Sequence, residues 1–362
     1  MKPEPSGSPI SQRDIARLLG ISQATVSMAL KNSDRLSEKL REEVKQKAEE
    51  LGYRPDPMLS VLSHYRKGKS NRPIQAVIGW INAWQKPEKL REFIEFDYYW
   101  KGASAVAKQY GYRLEEFRLN QECTPQRLHQ ILSTRGIRGL LLPPHPTTQQ
   151  NQRQHPEWEA FPWSEYSIIR FGRSLQYPPS NLVTADQAAN TILAFMEIRK
   201  RGYRRIGFVT DEKVMWQIGH MFESGFLSVQ RMVDESERVP VFVTEHVPTV
   251  DRKKALALWI KKNKVDAILT NLHETPTMLE EIGVKVPDDI GLAGTTVHDI
   301  SVDAGIDQHP EEIGRAAMVM LNSLINDCER GVPKIFRQLL VEGAWVDGAS
   351  LPPKIPPLPL IR

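Results

Sequence analysis

The chain has 362 residues, 40% apolar and 25% charged, which is the composition of a globular protein long enough for two or three domains with real cores. No apolar run approaches the roughly 20 residues of a membrane helix, and the opening "MKPEPSGSPISQRD" lacks the apolar centre of a secretory signal. The net charge is +4, and residues 1–70 hold thirteen Lys and Arg against nine Asp and Glu, so the whole excess sits at one end, where a polyanion partner is expected.

Ser11 is placed to cap a helix, and Asp14 three residues on completes a capping box. Ile15, Leu18 and Leu19 fall on one face of that helix, and Gly20 stops it. Ser22 caps a second short helix with Val26, Ala29 and Leu30 inward. A third runs from Ser37 to Gly52, apolar at Leu40, Val44, Ala48 and Leu51. Three short helices with a Gly-containing turn between the first two make the helix-turn-helix arrangement. Such a unit lays its second helix in the major groove; here the outward residues are Gln23, Ala24, Ser27 and Met28, with Thr25 and Lys31 near the backbone. Short uncharged side chains let a helix sit deep, while flanking basic groups meet phosphate. A three-helix packing module that binds no nucleic acid is the competing reading of these residues.

After Gly52 comes "YRPDPMLSVLSHYRKGKSNRP", where Pro57 suits the first position of a helix and Met58, Leu59 and Leu62 line one side as far as Tyr65. At about nine residues this helix is shorter than the ~12–15 at which isolated helices become marginal, so it needs a partner surface. From Ile74 on, "QAVIGWI", "IRGLLLP", "YSIIRFG", "RRIGFVT", "VPVFVTE", "VDAILTN" and "DIGLAGT" read as strands. They alternate with helices expected at 97–110, 124–135, 185–201, 219–234, 251–262 and 311–330. Repeated βα units predict parallel, doubly wound sheets, with a cleft at the strand ends where two such units face each other. Cys123 and Cys328 share no metal spacing; a reducing compartment and two small buried side chains are expected. The end, "LPPKIPPLPLIR", reads as an extended Pro-rich tail.

Residues 11–63 resemble the DNA-binding headpiece and hinge of the LacI/GalR family of bacterial repressors, through "DIARLLGISQATVS", "LSEKLREEVKQKAEELGYRP" and a hinge leucine aligned with Leu62. The resemblance continues to about residue 350, more loosely between 82 and 165. It runs through "GIRGLLLPP" as the second strand, "NLVTADQAAN" as a crossover, "KRGYRRIGFVT", "VDAILTN", "VKVPDDIGLAGT" and "IDQHPEEIGRAA". It implies an all-α helix-turn-helix headpiece plus an α/β periplasmic-binding-protein-like core of two doubly wound subdomains with parallel sheets. The boundaries it implies are a flexible arm at 1–10, the headpiece at 11–56, a hinge helix and linker at 57–70, an effector-binding and dimerisation core at 71–350 and the tail at 351–362. Within the core, the N-subdomain takes 71–181 and 307–334 and the C-subdomain 184–305 and 336–350, with crossovers near 180–184, 305–308 and 333–337.

By the same resemblance the protein is a cytoplasmic, nucleoid-associated homodimer on a pseudo-palindromic double-stranded DNA operator. Its implied DNA contacts are Ser22, Gln23, Ala24, Thr25, Ser27, Met28, Lys31, Asn32, Tyr53, Leu59 and Leu62, the last wedged into a minor-groove step. Met28 stands where the family commonly has Arg, and Lys31 where it has Asn. Methionine offers only apolar contact, for instance to a thymine methyl, so an operator unlike the usual one is expected.

The family's charged sugar clamps are missing: its C-subdomain Arg aligns with His220, its strand-end Asp with Thr296, and its third-strand Asp or Asn with Gly172. The candidate effector contacts, for a sugar or related metabolite, are therefore Trp84, Tyr98, His145, Trp216, His220, Asn271, Thr296 and Gln308. Aromatics after strands and a lone His are more often core than ligand contacts. Two readings stay open, an unusual effector or a degenerate cleft that acts without one. No GxSxG, GxxxxGK[ST] or HExxH set occurs, so neither an enzyme nor a cofactor or metal is expected. A solute-binding protein is the remaining alternative, and the headpiece argues against it.

Overall fold

The computed structural model describes residues 12–30, 33, 35–51, 76–84, 86–119, 123–145, 160–246 and 251–354. The chain opens with α1 (Gln12–Leu19), α2 (Gln23–Leu30) and α3 (Glu38–Glu50). α1 ends because Gly20 turns left-handed, at φ +66°, where a residue with a Cβ would be strained. The Ser22 Oγ accepts the Thr25 N–H at 3.0 Å to start α2, and Ser37 accepts the Leu40 N–H at 3.4 Å to start α3. Ile15, Ala16, Val26, Ala29, Val44 and Ala48 form the shared core. Leu18, expected on the inward face, is 59% exposed. Ala16 completes the stripe with Ile15 and Leu19 instead, which turns Leu18 about 100° out of it. The cap expected at Ser11 lies outside the described residues.

The chain continues as β1 (Ala76–Asn82), α4 (Ile94–Gln109), β2 (Tyr112–Arg118), α5 (Pro125–Thr134), β3 (Gly139–Leu142), β4 (Ser167–Phe171), β5 (Asn181–Ala185) and α6 (Gln187–Lys200). Then follow β6 (Ile206–Thr210), α7 (Glu212–Gln217), α8 (Met221–Gln230), β7 (Phe242–Val243), α9 (Arg252–Asn263), β8 (Ala267–Thr270) and α10 (Thr275–Glu281). The last elements are β9 (Gly291–Gly294), β10 (Gly305–Asp307), α11 (Pro310–Asn326), β11 (Gln338–Val341) and β12 (Ala344–Val346). Two six-stranded sheets result, in the orders β11-β5-β4-β3-β1-β2 and β12-β10-β9-β8-β6-β7. Among the described residues every strand pairing is parallel except that of β12, which runs antiparallel to β10.

Each sheet is the centre of one subdomain. The first is covered by α4 and α11 on one face and by α5 on the other. The second is covered by α6 and α8 on one face and by α9 and α10 on the other. α4 and α11 meet backbone to backbone: a Cβ on Gly102 would lie 1.9 Å from Glu311 O, and one on Gly314 would lie 2.1 Å from Tyr99 O.

The chain crosses between subdomains at Asp186, at 308–309 and at 342–343. These crossings are tied together. The Asp186 N–H donates to Val341 O at 2.9 Å, and the Gly343 N–H donates to Asn190 Oδ1 at 2.8 Å. A Cβ on Gly343 would stand 2.7 Å from Asp307 O.

Several expectations are corrected here. "NLVTA" is a fully buried strand, so the first subdomain runs to 185 rather than 181. The third crossing lies at 342–343, not 333–337, because "QLLV" first returns to the first sheet as β11. "GIRGLLLPP" holds the third strand rather than the second, since β2, "YRLEEFR", is an edge strand whose charges mask its periodicity. Leu351 is 1% exposed, packed beneath Gly291, and the Lys354 N–H donates to Arg201 O at 2.6 Å. The C-subdomain therefore reaches 354 and not 350; residues 355–362 lie outside the described residues. Cys123 and Cys328, expected to be buried, are half-buried and form no disulfide, in turns flanking α5 and α11.

The α4–α11 contact yields a test. Gly102→Ala pushes a methyl group into the α11 backbone, and overpacking of this kind costs about 1–3 kcal/mol. Urea unfolding of the full chain should give a lower midpoint; one indistinguishable from the parent would refute the contact.

Candidate functional site

The first turn of α2 is the accessible part of the headpiece's second helix. Ser22, Gln23 and Ala24 are exposed, Thr25, Ser27 and Met28 are half-buried, and Val26 and Ala29 face the core. α1 braces this turn, the Arg13 Nε–H donating to Gln23 Oε1 at 3.2 Å. The Ser22 and Thr25 hydroxyls are 2.8 Å apart. α2 itself carries no charge. A Gln amide can pair with an adenine edge, and Ala24 and Met28 add apolar surface of the kind a thymine methyl accepts. Lys31, Asn32, Tyr53, Leu59 and Leu62 lie outside the described residues.

A second site lies where the subdomains meet. α4 begins without a side-chain cap, Phe93 having none to give. Asp299, in the loop after β9 of the other subdomain, takes that place: the Ile94 N–H donates to its Oδ1 at 2.7 Å. Glu95 follows, 8% exposed and hydrogen-bonded to the Thr296 hydroxyl. Tyr98 packs on His298 with ring centroids 5.4 Å apart, and His298 Nε2 is 3.0 Å from Asp307 Oδ1. Burial, reinforced by the negative charge of Asp299, pushes the Glu95 carboxyl up to about 8. Burial also raises Asp299, against the lowering effect of the Ile94 and Glu95 amides.

Asn271, at the end of β8, has both polar atoms of its amide shut off from solvent with no hydrogen-bond partner among the described residues. Its neighbour Thr270 is fully used, donating to Val209 O at 3.0 Å and accepting the Leu272 N–H at 3.0 Å. Nearby, Asp211 caps α7 through the Val214 N–H at 2.5 Å and is raised by burial and by Glu245 and Glu274.

The other expected cleft residues are spent elsewhere. The Trp84 Nε1–H donates to Pro144 O at 2.8 Å, and His145 bonds through Nε2 to Ala83 O at 2.9 Å. Both line a cavity of about 10 Å³ inside the first subdomain, too tight for an effector. The Gln308 side chain donates to Thr295 O at 2.8 Å, a structural tie beside the crossing. His220 is exposed at φ 57°, with Nδ1 3.1 Å from Glu223 Oε2, and Trp216 is half-buried on α7. The structure thus gathers Tyr98 and Thr296 in one place, with Glu95, His298 and Asp299, which the sequence did not single out. The signal for Glu95 was present: it lies four residues before Tyr99 and eight before Ala103, on a stripe that is otherwise core.

The unpartnered amide yields a second test. A buried unsatisfied polar group costs about 1–3 kcal/mol, so Asn271→Leu should raise the unfolding free energy of the ligand-free protein by that much. A loss of stability in urea unfolding would mean that the amide is already satisfied.

Residues 12–56 match the family model described as "Bacterial regulatory proteins, lacI family". The HTH-type transcriptional repressor CytR of Escherichia coli (strain K12) is 24% identical over 357 residues, covering 89% of this chain and 91% of that protein. The solved complex of the transcriptional regulator CelR with cellobiose superposes with a TM-score of 0.52 at 19% identity, over 94% of this chain and 99% of that one. The lac repressor dimer bound to operator and the anti-inducer ONPF gives a TM-score of 0.52 at 16% identity, over 95% and 100%. At these identities the two structures speak for the fold. With its headpiece matched at residues 12–56 and a 24%-identical relative aligned over 89% of its length, the chain is similar to bacterial regulatory proteins of the lacI family.

Proposed function

We propose that this protein is a sequence-specific DNA-binding transcription regulator, a repressor that works as a homodimer on a pseudo-palindromic operator. The observation that carries the reading is the uncharged α2, with Gln23 and Ala24 exposed in a first turn held by Arg13, Ser22 and Thr25. A helix of this kind enters the major groove by its N-terminal residues, and a dimer sets two of them about 34 Å apart on the duplex. The basic excess of residues 1–70 supplies attraction to phosphate. The name of CytR, a transcriptional repressor, and the operator bound by the lac repressor dimer support the same reading. The named relative is a regulator rather than an enzyme, and no catalytic role is proposed. No helix among the described residues is long and apolar enough to cross a membrane. With DNA as its partner, the bacterial cytoplasm, at the nucleoid, is the proposed location.

The cleft supports two readings. The unpartnered Asn271 amide favours a small polar effector, a sugar or related metabolite, as the cellobiose held by CelR does for that protein. The Glu95–Thr296 hydrogen bond favours a cleft that closes on its own side chains and needs no effector.

Selection of bound duplexes from a random pool, followed by affinity measurements at two salt concentrations, tests the central reading. The selected duplex should bind at least ~10³-fold more tightly than random DNA, and both affinities should fall with salt. Gln23→Ala should cost about 1–3 kcal/mol on the selected duplex and little on random DNA. Equal binding to both duplexes would refute the assignment.

A further inference from the structure

Three contacts join the subdomains around the start of α4, and each has one partner on either side. The Asp299 carboxylate caps the helix in place of a local residue, which satisfies an orphan amide and sets a negative charge at the positive end of the helix. Glu95, one residue further, is folded under the same loop and bonded to the Thr296 hydroxyl. Tyr98 and His298 close the edge.

The charges facing Glu95 are of one sign. Asp299 and Asp307 both act on it from the other subdomain. His298 and His309 lie 3.0 Å and 3.4 Å from Asp307 and so face that carboxylate, while the Tyr99 phenol, on its own helix, is held far above the usual range by burial and by Glu95. No Lys or Arg pairs with Glu95 among the described residues. An ionised Glu95 would therefore be a second buried carboxylate beside Asp299 without a counter-charge; the closed contact fits the carboxylic acid.

We infer that Glu95, Thr296 and Asp299 form a proton-operated latch that holds the subdomains closed with no small molecule between them, so that pH acts on operator binding. Its last step rests on the regulator reading proposed above. The sign follows from the direction of the shift. Burial and then Asp299 set the Glu95 carboxyl at about 8 in the latch, against 4.5 for the free side chain, so closure takes up a proton between those values. The latch is at full strength below about 4.5 and weakens as pH rises to about 8, with up to about tenfold lost from the closing equilibrium per unit.

Hydrogen exchange on the full-length protein between about pH 6 and about pH 9, corrected for intrinsic rates, reads the latch at the Ile94 and Glu95 amides. The parent should lose protection as pH rises. Glu95→Gln stays neutral and can still accept the Thr296 hydroxyl, so it should keep protection throughout. Asp299→Ala, a second variant in case the first disturbs folding, removes the carboxylate that caps α4 and should lower protection at about pH 6, where Glu95 is protonated in the latch. Superimposable parent and Glu95→Gln profiles, or parent-like protection in Asp299→Ala at about pH 6, would overturn the latch. On the selected duplex, the ratio of parent to Glu95→Gln affinity should shift with pH by up to about tenfold per unit; a constant ratio would overturn the coupling. Because exchange is measured on the protein alone, a failure to distinguish selected from random DNA would sink the regulator reading and leave the latch result standing.

Discussion

Much of this core rests on the bonding of three chain crossings to one another. The Asp186 N–H meets Val341 O, the Gly343 N–H meets Asn190 Oδ1, and Gly343 lies so close to Asp307 O that only glycine fits there. Neither subdomain is contiguous in sequence, so neither can separate from the other without pulling on all three links. Relative movement is thereby confined to bending about the bundle of crossings. That confinement turns a few side chains at the strand ends into controls on the posture of the whole core.

The two halves of the cleft solve the problem of buried polar groups differently. Glu95 and Thr296 satisfy each other across the gap, and Asp299 is matched to the bare end of α4. Asn271 has no such partner among the described residues and carries an unrelieved desolvation penalty. On the readings proposed above, the Glu95 side would close by itself and the Asn271 side would hold a molecule able to bond an amide.

The headpiece was legible in the sequence because its signals are local. Gly20, Ser22 and Ser37 each act within three or four residues, and the structure shows each doing so. Strands buried on both faces, such as "AILT" and "IGFVT", were equally plain. β2 was missed because Arg113, Glu115 and Glu116 decorate an edge strand, and β10, β11 and β12 because three or four residues hold too little periodicity. Leu18 misled because two leucines side by side cannot both face the core of one helix. The partner of Glu95 was invisible for a different reason: Thr296 is 201 residues away, and no local pattern records such a pairing.

The headpiece interior has a consequence of its own. Of its six buried residues, Ala16, Ala29 and Ala48 contribute single methyl groups, and the larger Leu19, Ile21, Leu30, Leu36, Leu40 and Leu51 that pack around them are only partly buried. So small an oily centre gives little resistance to heat beside the double-faced packing of either sheet. On warming, the headpiece should melt first while the two sheets are still intact, taking with it the DNA-binding surface proposed above.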